Sequence, residues 1–96
     1  MATYFIASYD VTDPEVYKDY VPGVIPLVFK HGGEIVTAPP PPSIKTLEGP
    51  ERMVHVVLRF ASEQAALAWY DDPEMQPLKA LRQRSTAHAM LVLASA

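Results

Sequence analysis

The chain contains no cysteine. That removes disulfides, thiolate nucleophiles and cysteine metal sites, and leaves the compartment open. It also lacks a basic run: eight lysines and arginines face eleven acids, for a formal charge of −3. Nucleic-acid binding needs a dense cationic face, so no nucleic-acid partner is expected. No apolar run approaches the roughly 20 residues that cross a bilayer. No basic segment precedes the strand-like Thr3-Tyr4-Phe5-Ile6, as a signal peptide would require. The expectation is a soluble, cytoplasmic protein with no membrane partner. Glycine-rich dinucleotide, phosphate-loop and nucleophile-elbow patterns are absent, which disfavours nucleotides and serine hydrolysis. His31, His55 and His88 have no local ligand spacing such as HxxxH, so neither a metal nor a cofactor is expected.

Apolar residues make up 49% of the 96-residue chain, enough for a packed core in one domain over 1–96. A chain this short buries only about two-thirds of its unfolded surface, so a partner subunit would help.

Residues 3–11 alternate as a strand, with Phe5, Ala7, Tyr9 and Val11 on one face and Tyr4, Ile6, Ser8 and Asp10 on the other. Asp13-Pro14-Glu15 starts a helix: a capping carboxylate, a proline suited to the first position, and an acid at the positive end of the dipole. Tyr17, Tyr20, Val21, Val24 and Val28 continue at helical spacing. Pro22 and Pro26 remove amide donors, which predicts a kink or break at 20–23. His31-Gly32-Gly33 ends the helix. A short strand follows at 34–38. The prolines at 39–42 cannot pair in a sheet and read as an extended loop. Residues 44–47 read as a brief return to strand.

Residues 52–60 form the clearest strand, with Val54, Val56, Leu58 and Phe60 on one face and Met53, His55, Val57 and Arg59 on the other. Ser62 caps a helix striped by Ala65, Ala66, Trp69 and Tyr70. Asp72-Pro73-Glu74 starts another, lined by Met75, Leu78 and Leu81. A last strand spans 87–94, with Ala89, Leu91 and Leu93 on one face and His88, Met90 and Val92 on the other.

The order β-α-β-β-α-β is that of an α+β, ferredoxin-like fold: a four-stranded antiparallel sheet in the order 4-1-3-2 with helices on one face. The uncovered face would then carry Tyr4, Ile6, Met53, Val57, Met90 and Val92, a larger apolar patch than monomers usually expose. Packing against a second copy through this face covers it, giving a homodimer. A monomer with an apolar ligand groove is the alternative.

In that sheet Asp10, Arg59 and His88 are expected together at one mouth. Arginine holds a carboxylate or enolate by paired hydrogen bonds. Histidine moves a proton near neutral pH, with the aspartate setting its tautomer. The competing account is a structural Asp10–Arg59 ion pair. His55 is expected deeper on the same face, near Tyr4 and Ile6, as a ligand contact or a hydrogen-bonded buried histidine. Trp69 and Tyr70 are candidates to wall a pocket between helix and sheet, or to be core.

The ordered set Thr12-Asp13-Pro14-Glu15, Tyr17, Tyr20, His31-Gly32-Gly33, Leu47-Glu48-Gly49, Arg52, Phe60, Ser62, Ala66, Trp69-Tyr70, Pro73-Glu74, Gln76, Leu78 and Arg82 resembles domain-of-unknown-function family 1330 over nearly the whole chain. That family lies in the dimeric α+β barrel superfamily. The resemblance implies a two-copy barrel and no established reaction. Relatives in the superfamily include cofactor-free monooxygenases, polyketide cyclases, lactone isomerases and haem enzymes, an analogy of fold alone. The resemblance also singles out Glu48, Arg52 and Arg82. A Glu48–Arg52 contact would pin the hairpin, and Arg82 would reach back from the last helix.

Two readings follow. One is a cofactor-independent enzyme that moves protons with His88, Asp10 and Arg59 on a hydrophobic, oxygenated small molecule contacted by His55, Tyr4, Trp69, Arg52 and Arg82. The other is a non-catalytic dimeric ligand-binding or structural module.

Overall fold

The computed structural model describes residues 2–37 and 44–96. Ala38 and the proline run at 39–42, expected as a strand end and an extended loop, lie outside the described residues. The elements are β1 (Thr3–Val11), α1 (Pro14–Tyr17), α2 (Tyr20–Lys30), β2 (Glu34–Thr37), β3 (Val54–Phe60), α3 (Glu63–Tyr70), a 3-10 turn at Pro73–Met75, α4 (Gln76–Ser85) and β4 (Thr86–Ser95). The strands form an antiparallel sheet in the order β2-β3-β1-β4, as expected for the ferredoxin-like topology.

Alternation decides which face is covered. Thr3, Phe5, Ala7 and Tyr9 of β1 are buried, as are Val54, Val56, Leu58 and Phe60 of β3. They meet Val24, Leu27 and Val28 of α2, Ala66 and Trp69 of α3, and Met75. Trp69 lies edge-on to Phe5, with ring centroids 5.0 Å apart, and 5.4 Å from Phe60.

Local chemistry sets the helix ends. Asp13 Oδ1 accepts from Val16 N at 3.2 Å and Pro14 opens α1. The chain breaks at Lys18-Asp19, earlier than the expected 20–23. Pro22 thereby falls in the first turn of α2, where amides have no intrahelical acceptor to lose. Pro26 stays inside the helix with its side chain exposed. Gly32 takes the left-handed position (φ 74°), and Gly33 N donates to Val28 O at 2.9 Å, closing α2 in a Schellman motif. Gly33 is also a close approach: a Cβ there would lie 2.7 Å from both Phe60 and Val28.

Asp72 ties the end of α2 to the turn that precedes α4. Its side chain accepts from Glu74 N at 2.9 Å, from Lys30 Nζ at 2.9 Å, and contacts His31 Nε2 at 2.8 Å. The His31 bond, then the Glu74 amide and Lys30, hold the Asp72 carboxyl well below the usual carboxylate range.

The strand expected at 44–47 does not form, and β3 begins at Val54 rather than Arg52. Strand β4 carries a bulge. Ser8 pairs with Met90 and Asp10 with Ala87, so β4 has one residue more than β1 between these pairs. His88 sits in the bulge at φ 58°. Simple alternation therefore fails at 87–89. No helix among the described residues is long and apolar enough to cross a membrane.

Candidate functional site

The mouth of the sheet at the end of β1 holds Asp10. Its Oδ1 accepts from Met53 N at 2.9 Å, and its Oδ2 lies 3.1 Å from His88 Nδ1 and 3.8 Å from Arg52 Nη1. The Met53 amide first, then His88 and Arg52, hold the Asp10 carboxyl below its ordinary value. An ionised carboxylate only accepts, so the hydrogen bond requires the proton on Nδ1 and leaves Nε2 as the basic nitrogen. Bulges re-aim side chains, and this one turns His88 toward Asp10.

Arg59 is not part of this group. It pairs in register with Tyr4, six residues and about 20 Å along β1 from Asp10. There it meets Glu34 at 3.4 Å. In an antiparallel pair the end of β1 faces the start of β3, so the guanidinium beside Asp10 belongs to Arg52, two residues before that strand begins. Arg52 Nη1 also donates to Glu51 O at 2.9 Å. The expected Glu48–Arg52 contact is not among the ion pairs of the described residues. His55 pairs with Ser8, not beside Tyr4, which lies four residues away on β1. His55 is half-buried, and its Nε2 has no hydrogen-bond partner among the described residues.

A second group lies on the covered face. Between α2 and the sheet is a cavity of ≈ 40 Å³. Its lining is largely apolar and includes Ala7, Val24, Val28 and Trp69, with Tyr9, Tyr20 and Arg82 also among the lining residues. Arg82 arrives there because it follows Leu78 by four residues on the inner face of α4. It is 4% exposed. Its Nε has no hydrogen-bond partner among the described residues, and neither has Trp69 Nε1.

Tyr9 Oη and Tyr17 Oη are 2.7 Å apart, extending the polar group toward α1. Burial raises the pKa of Tyr9 and of Tyr17, and pushes Tyr20 up to about 12. The nearby Arg82 charge opposes that rise in each case without overcoming it. All three phenols thus stay protonated at neutral pH and act as hydrogen-bond donors or acceptors, not as anions.

Trp69 and Arg82, singled out in the sequence, meet at this cavity. Tyr4, Arg52, His55, Asp10, Arg59 and His88 do not line it. Sequence reasoning missed Tyr9, Tyr17 and Tyr20 as a polar group, reading them as apolar stripe. The signal was there: a tyrosine on the core face of β1, and two more one helical turn apart. Among the described residues no group of His, Asp and Glu has the arrangement of a metal site.

No curated protein matches the chain. Several solved structures share its fold at low identity. A protein of unknown function from Rhodopseudomonas palustris is 16% identical, with a TM-score of 0.81 over 99% of this chain and 82% of that one. A protein from Bacteroides fragilis, described as dimeric with a ferredoxin-like fold, is 10% identical, with a TM-score of 0.67 over 99% of this chain and 96% of that one. A dimeric ferredoxin-like protein of unknown function from Thermobifida fusca is 19% identical, with a TM-score of 0.58 over 100% of this chain and 92% of that one. At these identities the likeness is one of fold. The family model described as a domain of unknown function, DUF1330, matches residues 2–96, and the chain belongs to that family.

Proposed function

We propose that the protein is a homodimer in which each subunit takes a small hydrophobic, oxygenated molecule into the cleft between α2 and the sheet. The observation that carries this reading is the ≈ 40 Å³ cavity, walled by apolar side chains yet reached by Arg82, Tyr9 and Tyr20. Packed cores leave few voids larger than a water. Small-molecule sites pair apolar walls with a few convergent polar groups at volumes of about 300–1,000 Å³, so this hollow is sized for one end of a guest only. The space admits a head group of a few heavy atoms, and a longer guest requires α2 to move outward. Pro26 lacks the amide that would tie that helix to its preceding turn.

The dimer is proposed through the open sheet face. Ile6 lies between Val57 and Val92 in register, and Met53, Met90 and Val92 are 56%, 49% and 43% exposed. Two structural neighbours are described as dimeric, which agrees with this reading.

The test is titration with a panel of small alcohols, ketones and acids, followed by amide chemical shifts. Perturbations are expected at Val24, Val28 and Trp69, and Ala7→Val, which fills the cavity, should abolish them. A panel that leaves these amides unmoved would sink the proposal.

A second reading rests on the Asp10–His88 pair. A histidine held by a carboxylate through Nδ1, with Nε2 free, is arranged as a general base, and its left-handed backbone at φ 58° is the kind of strain found at functional positions. This reading expects solvent deuterium to enter an enolisable compound faster with wild type than with His88→Gln. Equal rates would remove His88 from any chemistry.

A further inference from the structure

We propose that the molecule in the helix–sheet cleft is an anion, a hydrophobic carboxylate or enolate, and that Arg82 holds its charged end. The inference rests on the cleft reading above and names the chemical class of its occupant.

Arg82 is a guanidinium at 4% exposure, and arginine does not shed its proton in proteins. Among the described residues it is absent from every ion pair; the pairs that form join Asp72 to Lys30 and His31, Asp10 to His88 and Arg52, Glu34 to Arg59 and Glu15 to Lys18. Among the described residues its Nε is buried without a partner. A buried charge is costly unless paired and hydrogen-bonded. Part of that cost is offset by the C-terminal end of α4, whose last turn contains Arg82 and whose dipole supplies about half a negative charge.

The tyrosines supply no opposing charge, although Tyr20 lies within hydrogen-bonding reach of the Arg82 guanidinium. Tyr20 is pushed up to about 12 by burial, and burial raises Tyr9 and Tyr17 as well, so each stays neutral. The cavity is thus lined mostly by apolar side chains, with one permanently charged residue, Arg82, and two neutral phenols, Tyr9 and Tyr20, among its lining residues. A carboxylate or enolate oxygen complements that set: it pairs with the guanidinium and accepts from the phenols, and its hydrocarbon part lies against Val24 and Val28. Charge-assisted bonds of this kind are roughly twice as strong as neutral ones.

The experiment compares hexanoate, hexanamide and hexan-1-ol on the wild-type protein by calorimetry, at neutral pH in a chloride-free zwitterionic buffer. Hexanoate is expected to bind at least about tenfold more tightly than hexanamide, a difference of about 1.4 kcal/mol. Arg82→Met should erase that preference and Arg82→Lys should keep part of it. If hexanamide and hexan-1-ol bind as tightly as hexanoate, the charge inference is overturned and the cleft reading stands. If none of the three binds, the cleft reading fails and the inference with it. Chloride alone, raising the melting temperature as far as hexanoate does, would overturn the organic anion in favour of an inorganic one. The wild-type series decides the matter even where Arg82→Met does not fold.

Discussion

Arg82 and His88 are both basic residues near the junction of α4 and β4, yet burial gives them different work. Arg82 is buried and stands in no ion pair among the described residues. His88 has a side chain 64% exposed, and its ion pair with Asp10 is screened. Exposed pairs contribute about 0–1 kcal/mol, so the bond to Asp10 does little for stability. The backbone matters more. A residue with a Cβ in the left-handed region costs roughly 1–2 kcal/mol, and glycine avoids that cost. His88→Gly should therefore be at least as stable as wild type, and His88→Val less stable than His88→Gly by about 1–2 kcal/mol. Urea denaturation of the two variants checks this; equal midpoints would show that the bulge relaxes freely. At this scale the Asp10–His88 pairing was legible, because the end of one strand meets the start of its antiparallel neighbour. The same rule, applied to β3, points to Arg52 and away from Arg59. Arg82 was singled out by family resemblance, and its isolation from carboxylates became visible only when the helices were packed.

Helix α2 is the element on which the cleft depends. Its C-terminus is fixed twice, by the Gly32-Gly33 motif and by Lys30 and His31 on Asp72. Its middle is looser, because Pro26 leaves the Pro22 carbonyl without its helical donor. Proline inside a helix costs about 3 kcal/mol, offset by about 0.4–1 kcal/mol from a stiffer unfolded chain. Pro26→Ala should thus stabilise the protein by about 2 kcal/mol, and should slow exchange of the α2 amides with deuterium. Unchanged exchange would remove α2 as the movable wall of the cleft.

The Asp72 clasp has a pH dependence of definite sign. Its carboxyl is lowered in the folded protein, first by the His31 bond. A depressed carboxyl stabilises fully above its unfolded value and loses that contribution as pH falls toward the folded one. Wild type should exceed Asp72→Asn in melting temperature near neutrality, and the gap should narrow progressively below about pH 4. A gap constant from pH 3 to 7 would mean that Asp72 acts without its charge. The elements themselves were readable in the sequence from their caps: Asp13, Ser62 and Asp72 each bond an amide in the turn they precede. The break before α2 was misplaced because a proline in the first turn of a helix forfeits nothing, so Pro22 marks a beginning there.

At the scale of the whole molecule the uncovered sheet face dominates. Ile6 stands at its centre, beside Val57 on one side and Val92 on the other. A carboxylate there would be desolvated by a facing sheet and tolerated by water. On native mass spectrometry wild type is expected to give a dimer and Ile6→Asp a folded monomer, with the proposed dimer weakened at least about a hundredfold, since an unpaired buried charge costs several kcal/mol. A variant that stays dimeric would move the interface to another surface.

The order of elements, the strand order and the apolar character of both sheet faces were legible in the chain. Those follow from local rules: alternation, helical spacing, capping groups and the absence of any apolar run long enough for a membrane. The tertiary structure decided which polar groups meet. Antiparallel register moved Arg59 away from Asp10 and brought Arg52 to it. A single extra residue in β4 turned His88 toward the same carboxylate. Packing α2 and α4 onto the sheet enclosed Arg82 with Tyr9 and Tyr20 around one cavity. Such juxtapositions join residues far apart in the chain, and no spacing within a single element records them.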